Sequence, residues 1–184
     1  VPVFLIANFW GGKGVAKISL RMLIFTVLGS LLMLVCFVVF YFIAQTSDFS
    51  ELQKIPEQLK PGLSSLLFWG FFIAFAIKSP LFPFHGWLPD AYGKFPTPAS
   101  MLLSGLLSKM GIYGMIRIML PLTPASVQKY SGLIIFFCIV GLIYGSIVAM
   151  KQLRLKYLIA FSSFAHIGLM AAAVFTVSEF GLQG

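Results

Sequence analysis

A stretch of 22 residues from Met22 to Ile43 contains no charged side chain and no proline. At about 1.5 Å per residue, a helix of this length crosses a hydrocarbon core of about 30 Å. The whole chain has a similar character, because it is 59% hydrophobic and only 10% charged. Soluble domains carry about a quarter charged residues. The sequence therefore predicts a polytopic membrane protein.

Further apolar stretches along the chain predict an all-α membrane bundle that forms one transmembrane domain, residues 1–184. The predicted helices are residues 1–10 (partial), 22–43, 63–84 (broken at 78–83), 97–120, 131–150 and 157–177. Residues 44–62 are expected to form a polar loop with a short surface helix, and residues 85–96 a turn-rich connection. We expect the chain to be a fragment of a longer subunit.

Loop charges predict the orientation of these helices. Alternate connections hold seven basic residues and one acidic residue: Lys13, Lys17, Arg21, Asp90, Lys94, Lys151, Arg154 and Lys156. The opposite side holds four basic and four acidic residues: Lys54, Lys60, Arg117, Lys129, Asp48, Glu51, Glu57 and Glu179. Because basic loops stay on the cytoplasmic or matrix side, we expect loops 11–21 and 151–156 there. The net charge of +8 is then a topology signal, and no nucleic-acid partner is expected.

Two basic residues remain inside the predicted spans, Lys78 and Lys109. An ammonium group at the bilayer centre costs about 2.5–3.5 kcal/mol on insertion scales. Both lysines are therefore expected to face the protein interior or a wet cavity. A lysine that snorkels to the membrane surface is the alternative interpretation.

Prolines predict a helix break directly after Lys78. Pro80 is expected to leave the carbonyl of Ala76 unpaired, and Pro83 that of Ser79, because proline has no backbone N–H. Ser79 is expected to leave α-helical geometry because a proline follows it. Interrupted backbone at membrane depth is tolerated only where protein or water covers it, so the freed carbonyls are expected to hold water.

Lys109 lies about a dozen residues from either end of its predicted span, and Gly105 and Tyr113 share its face at i−4 and i+4. Serines form an adjoining polar stripe at helical spacing: Ser100, Ser104 and Ser108. This pattern predicts a helix with one hydrated side, and we expect Ser104, Ser108 and Tyr113 to line a channel there. Desolvation and a neighbouring like charge both lower the pKa of a lysine. Two such lysines could exchange a proton through water, whereas arginine would stay charged.

The residues around both lysines carry a resemblance to a known family. FAIKSPLFPFHGWLPDAYGKFPTPAS and GLLSKMGIYG resemble the signature of the antiporter-like membrane subunits of respiratory complex I, closest to the subunit M or mitochondrial subunit 4 type. VPVFLIANFWGGKG near the start and LKYLIAFSSFAHIGLM near the end extend the similarity over essentially the whole chain.

The resemblance implies an inverted-repeat antiporter-like fold and proton translocation as one subunit of NADH:quinone oxidoreductase. It implies that Lys78 is the central switch and that Lys109 passes the proton laterally, with a partner glutamate upstream of this sequence. No cofactor is expected on this chain, whereas NADH, flavin, iron–sulfur clusters and quinone are expected on partner subunits. The expected partners are further membrane subunits, including antiporter-like ones, in a bacterial plasma membrane or mitochondrial inner membrane.

Other polar residues have two open interpretations each. His166, with Ser162 and Ser163 one turn before it, is either a proton relay or a neutral link between helices. His85 is expected on the cytoplasmic side of the break, where it either feeds protons to the channel or fixes the loop. Asp90 either caps a helix, which is the favoured interpretation, or assists proton entry. The family pattern HxWLPDAH ends here in Tyr92, which puts in doubt a relay that needs a second histidine.

The remaining motifs predict packing. Cys36 and Cys138 lie in separate apolar stretches without metal-ligand spacing, so buried gap-filling is expected. Gly141 and Gly145 form a GxxxG pattern typical of close helix packing. Three alternative functions stay open: a subunit of a multi-subunit cation/proton antiporter or a membrane-bound hydrogenase, a structural membrane subunit that does not pump, and a small-solute transporter, which would need a second broken helix.

The loop charges lead to a direct test of orientation. A cysteine introduced at Ser47, in the full-length subunit, is expected to react with impermeant thiol reagents added from the side opposite the cytoplasm or matrix. Labelling only from the cytoplasmic or matrix face would overturn the predicted orientation.

Overall fold

The computed structural model of the protein describes residues 2–12, 14–46, 48–53 and 60–176. Several positions used in the topology prediction lie outside this part of the chain: Lys13, Ser47, Lys54, Glu57 and Glu179. All regular structure within the described residues is helical, which confirms the predicted all-α fold class.

We number the helices of the described residues in chain order. They are α1 (Pro2–Trp10), α2 (Val15–Ala44), α3 (Phe49–Leu52), α4 (Pro61–Lys78), α5 (Leu88–Lys94), α6 (Thr97–Leu122), α7 (Pro124–Met150) and α8 (Leu155–Phe175). A 3₁₀ turn at Phe84–Trp87 precedes α5, and α6 contains two π-helical segments. Within the described residues, α2, α4, α6, α7 and α8 are long and apolar enough to cross a membrane. The protein is therefore an integral membrane protein.

Two helices begin earlier than their hydrophobic stretches. α2 starts at Val15, after Gly14 in the left-handed region at φ 87°, and not at Met22. α7 starts at Pro124, within the predicted loop 121–130. Lysine and glutamine are good helix formers, and a helix can extend beyond the hydrocarbon region with its polar turns in water. Hydrophobicity therefore locates a span but not the ends of its helix. The last predicted span ended at 177, which lies outside the described residues, and α8 covers Leu155–Phe175.

The helix break lies at the middle of the bundle. Gly29 is near the midpoint of α2, a helix of 30 residues, about 45 Å long. A Cβ on Gly29 would lie 3.2 Å from the carbonyl oxygen of Ala74 and 3.4 Å from the side chain of Ile77. The last turn of α4 therefore packs against the centre of α2, and Lys78 follows directly. This contact places Lys78 at mid-depth.

The segment after the break lies inside the bundle and is not a surface connection. It consists of the 3₁₀ turn Phe84–Trp87 and α5, and we call it the half-helix. The ring of His85 lies 4.5 Å from that of Phe164, which is nine residues into α8, or about 14 Å along it. Lys156, in the first turn of α8, donates a hydrogen bond of 3.1 Å to the carbonyl of Phe95. The 3₁₀ turn and α5 therefore run along the first half of α8. The prediction of a turn-rich connection at 85–96 is wrong. Proline is typical of turns but is also common in the first turn of a helix, so the sequence did not distinguish the two structures.

Each half of the interrupted span has its own hydrophobic core. α4 packs with α2, α6, α7 and α8 around buried aromatic and methionine side chains, among them Phe68, Phe71, Phe75, Met115 and Met119. The half-helix packs with α1, α2, α6 and α8 around a second set, among them Trp87, Leu88, Ala91, Ala99 and Phe164. The break thus lies at the boundary between two separately packed layers.

The connections predicted to be basic lie together at one end of the bundle. Arg21 of α2 pairs with Asp90 of α5 at 3.7 Å, and Lys156 of α8 bonds the carbonyl of Phe95 just after α5. We call the end formed by the start of α2, residues 94–97 and the α7–α8 connection the basic end.

α7 and α8 approach closely through the predicted GxxxG glycines. A Cβ on Gly145 would lie 2.6 Å from the ring of Phe164, and one on Gly141 would lie 3.1 Å from Phe82. The expectation of close packing is confirmed at both positions.

The contact at Gly145 gives a stability prediction. Gly145→Ala would press a methyl group into the Phe164 ring, and overpacking of this kind typically costs about 1–3 kcal/mol. We expect a lower midpoint of thermal unfolding for the full-length subunit in detergent. Gly132→Ala on the same helix is the matched control, because no atom lies within 4 Å of its added Cβ. Equal midpoints for the two variants would contradict the packing described.

Candidate functional site

Lys78 is the last residue of α4 and lies at the backbone break. Ser79 has φ −99° and ψ 70°, so it has left α-helical geometry as predicted. The Lys78 side chain is half-buried. The residue therefore lies inside the bundle, next to the point where α4 ends.

Two carbonyls of the last turn of α4 are bonded by protein groups, contrary to the expectation for Ala76, whereas the expectation for the Ser79 carbonyl stays a prediction. The backbone N–H of Leu81 donates to the Ala76 carbonyl at 2.9 Å, which replaces the bond that Pro80 cannot make. The indole N–H of Trp87 donates to the carbonyl of Ile77 at 3.2 Å. The prediction that the Ala76 carbonyl stays free was wrong, because the chain folds back and supplies a donor five residues later. The sequence contains no local signal for the Trp87 contact.

Lys109 lies in a short α-helical stretch, Ser108–Gly114, between two π-helical segments, Leu103–Leu107 and Met115–Met119. π-Helical turns inside α-helices are frequent at functional sites. Each one shifts the faces of the helix relative to a regular α-helix, so the predicted i−4 relation between Gly105 and Lys109 does not hold across the first. Neither segment has a recognisable sequence signal.

A direct contact joins the two segments that carry the lysines. The hydroxyl of Ser79, which follows Lys78, donates to the backbone carbonyl of Ser108, which precedes Lys109, and both serines are buried. The contact requires Gly111, because a Cβ there would lie 2.9 Å from the Phe75 carbonyl and closer still to the Ser79 hydroxyl. α4 and α6 are therefore in backbone contact at the lysines.

Lys109 and His166 line one groove between α6 and α8. The groove has a volume of about 570 Å³, and its polar lining residues are Ser104, Lys109, Ser162, Ser163 and His166. The side chains of Lys109 and His166 are exposed in it. The structure thus brings a lysine, a histidine and three serines from two helices into one groove, whose lining is completed by apolar residues: Leu158, Ile159, Ile167, Leu169 and Met170. Within the described residues, no acidic side chain pairs with Lys109 or with Lys78.

Ser108 and Tyr113, predicted to line a channel with Ser104, lie elsewhere. Ser108 is buried and donates to the carbonyl of Ser104 at 3.1 Å, so it faces the bundle interior. Tyr113 is 65% exposed and is not a lining residue of the groove. A role in proton transfer for either residue stays a prediction.

His85 lies within the bundle and not at its surface. Its ring packs among the rings of Phe82, Tyr144 and Phe164, with centroid distances of 5.7, 5.3 and 4.5 Å. Its Nδ1 atom is buried without a hydrogen-bond partner in the described chain. His85 lies between the break and α5, which is the basic-end side of the break, and its position on the cytoplasmic side stays a prediction.

Tyr92 and Asp90 continue the half-helix toward the basic end. Tyr92 is 3% exposed, and its hydroxyl lies near those of Ser104, Ser108 and Ser163 without forming a well-aligned hydrogen bond. Asp90 lies in the first turn of α5 and pairs with Arg21, and the cap position is Trp87. The prediction that Asp90 caps a helix is wrong, because the helix begins three residues earlier than a capping role requires.

Cys36 and Cys138 are both free and buried, in agreement with the gap-filling role expected of them. Cys36 fills space against Gly70, where an added Cβ would lie 2.4 Å from its sulfur. No three metal-ligating side chains come together among the described residues.

The family model described as NADH:quinone oxidoreductase/Mrp antiporter, TM, matches residues 1–184. The chain belongs to this family. NADH-quinone oxidoreductase subunit M of Rickettsia prowazekii is 36% identical over the whole chain, which covers 38% of that relative. NAD(P)H-quinone oxidoreductase chain 4 of Gloeobacter violaceus is 38% identical over the whole chain, which covers 35% of that relative. The chain thus spans a little over a third of the length of the curated relatives it matches.

Solved structures show the same antiporter-like fold. A chain of respiratory complex I from Thermus thermophilus with bound NADH matches with a TM-score of 0.90 and 32% identity, over 98% of this chain and 39% of that one. A chain of the Mrp complex from Dietzia sp. matches with a TM-score of 0.86 and 27% identity, over 98% of this chain and 20% of that one. The predicted resemblance to antiporter-like subunits is confirmed.

The break at Pro80 gives a prediction for this site. Pro80→Ala supplies a backbone N–H that can bond the Ala76 carbonyl, so we expect α4 to continue past Lys78 and proton transport to fall while the subunit still assembles. The measurement is proton uptake by vesicles that contain the assembled complex, alongside subunit abundance. Pro124→Ala is the control, because Pro124 is the first residue of α7 and interrupts no helical bond. Unchanged transport in Pro80→Ala would show that the break has no mechanistic role.

Proposed function

We propose that this chain is part of a proton-translocating membrane subunit of NADH:quinone oxidoreductase. The observation that carries the proposal is the serine-lined groove, in which Lys109 and His166 lie together at mid-depth. The family membership and the names of the relatives support it. A hydrophilic surface of titratable groups inside the bilayer is expensive and typical of a proton or ion pathway.

In this proposal Lys78 is the switch. It lies half-buried at the break, where the backbone is interrupted inside the bundle. The Ser79–Ser108 contact supports coupling, since movement at the break would be transmitted to the segment of Lys109. When Lys78 carries a proton, its charge disfavours a proton on Lys109, and loss of that charge favours one.

Lys109 and His166 then pass the proton along the groove. Lysine and neutral histidine both exchange protons, and the hydroxyls of Ser104, Ser162 and Ser163 can orient water between them. His85, buried among aromatic rings beside the break, would serve as a proton carrier on the path to Lys78. The alternative role of His85 is to hold the 3₁₀ turn against α7 and α8 by ring packing.

The rest of the machinery belongs to other chains in this proposal. NADH, flavin, iron–sulfur clusters and quinone would be bound by partner subunits, and this chain would pack with further membrane subunits, including antiporter-like ones. The coupling membrane would be a bacterial plasma membrane or a mitochondrial inner membrane. The basic end would face the cytoplasm or matrix, because basic loops are retained there.

A multi-subunit cation/proton antiporter is the second candidate, and the match to the Mrp complex from Dietzia sp. favours it. The two functions differ in the energy source. Proton transport that requires NADH oxidation by the assembled complex supports the first, whereas transport that requires only a cation gradient supports the second.

Lysine variants test the proposed function. Lys78→Ala and Lys109→Ala are each expected to reduce the number of protons taken up per electron pair, because each removes a proton-carrying group at mid-depth. Lys78→Arg is expected to be equally impaired, since arginine keeps its charge but does not release a proton. The measurement uses vesicles that contain the assembled complex with the full-length subunit, with subunit abundance determined in parallel.

A lysine outside the proposed pathway provides the control, and the Lys78→Arg variant provides the outcome that would contradict the proposal. Lys129→Ala removes a lysine at the start of α7, where it lies over the Tyr130 ring at 5.1 Å, and transport is expected to stay normal. A static ion-pair role for Lys78 makes the opposite prediction for arginine, with transport near normal and destabilisation in the alanine variant. Normal transport in Lys78→Arg would contradict the switch and favour a structural subunit.

A further inference from the structure

The hydroxyl of Tyr92 is an unusual buried polar group on the half-helix α5. The side chain is 3% exposed, and its oxygen has no hydrogen-bond partner of good geometry in the described chain. Buried polar groups in native proteins are nearly always bonded to protein or to ordered water. The neighbouring side chains approach the hydroxyl without good hydrogen-bond geometry, so a water molecule would complete its bonding.

Three serine hydroxyls surround this group, Ser104 and Ser108 from α6 and Ser163 from α8. The Ser104 hydroxyl donates to the carbonyl of Met101, and the Ser108 hydroxyl donates to the carbonyl of Ser104. A serine hydroxyl has one proton, so both oxygens present lone pairs to their surroundings. We call Tyr92 and these three serines the hydroxyl cluster.

The hydroxyl cluster is adjacent to the Lys109 groove and lies on its basic-end side. Ser104 and Ser163 belong to both, because they also line the groove. Ser104 precedes Lys109 by five residues, and Ser163 precedes His166 by three. Both helices run away from the basic end at these positions. The hydroxyl cluster is therefore about 4–8 Å closer to the basic end than the two titratable side chains.

We propose that the hydroxyl cluster holds a buried water molecule and conducts protons between the basic end and Lys109, with the Tyr92 phenol as an essential member. This inference rests on the proposed function. A water molecule here can accept the phenol proton and donate to serine oxygens, which gives it the two to four polar partners that buried waters have.

Proton transfer through the phenol leaves the residue unchanged. A proton arrives at a lone pair of the Tyr92 oxygen from one side while the phenol proton leaves to the bound water on the other. Rotation of the O–H bond then restores the starting state. A neutral phenol is both donor and acceptor, so in this proposal it occupies a relay position where the family pattern has a histidine.

The test removes the Tyr92 hydroxyl and keeps the ring. Tyr92→Phe, in the full-length subunit within the assembled complex, is expected to lower proton uptake per electron pair at least threefold at normal abundance. Tyr92→His is expected to restore uptake to within twofold of the parent, because imidazole also donates and accepts. Ser163→Ala is expected to reduce uptake in the same direction, and it provides the measurement if Tyr92→Phe fails to assemble.

Tyr157→Phe is the matched control, because Tyr157 packs over Gly93 at the same pair of helices but is outside the hydroxyl cluster. Equal loss in Tyr157→Phe, or no rescue by Tyr92→His, would show a packing effect and overturn the inference. Normal uptake in both Tyr92→Phe and Ser163→Ala, with loss in Lys109→Ala, would overturn the inference and leave the proposed function standing. Normal uptake in all three variants would overturn both.

Discussion

The structure depends on how backbone hydrogen bonds are satisfied where α4 ends. An unpaired carbonyl in hydrocarbon costs several kcal/mol, and Pro80 removes the donor that would normally bond Ala76. The N–H of Leu81 and the indole of Trp87 bond the carbonyls of Ala76 and Ile77. These two bonds stabilise the break with protein groups, anchor the 3₁₀ turn beneath α4 and hold Lys78 at mid-depth. The half-helix can then pack as a separate layer against α2 and α8.

Close contact between α4 and α6 determines the relation between the two lysines. Gly111 lets the helices approach until the Ser79 hydroxyl reaches the Ser108 carbonyl, so the residues next to Lys78 and Lys109 are bonded to each other. Lys109 lies between two π-helical segments and lines the groove with residues of α8. The segments that carry the two lysines are thus joined by a hydrogen bond, while Lys109 itself faces the groove.

Side chains of the half-helix lie next to the groove on its basic-end side. Because α5 lies along the first half of α8, Tyr92 reaches serines of both α6 and α8, and His85 packs on Phe164. Polar groups of three helices converge in this way between the basic end and the middle of the bundle. A surface loop at 85–96 would have left the serines of α6 and α8 facing lipid or another part of the protein.

Local sequence patterns determined the membrane class, the positions of the spans, the departure of Ser79 from helical geometry after Lys78, and the family. These features follow from hydrophobicity, proline chemistry and a long motif, all of which are properties of neighbouring residues. The tertiary structure alone decided the partners of the Ala76 and Ile77 carbonyls, the depth of His85, the Arg21–Asp90 pair and the surroundings of Tyr92. Each of these is a contact between separate segments, such as the Ser79–Ser108 bond across 29 residues. Such contacts depend on which helix faces approach each other, and helix packing sets those faces through glycines and π-helical turns that leave no periodic signal in the chain.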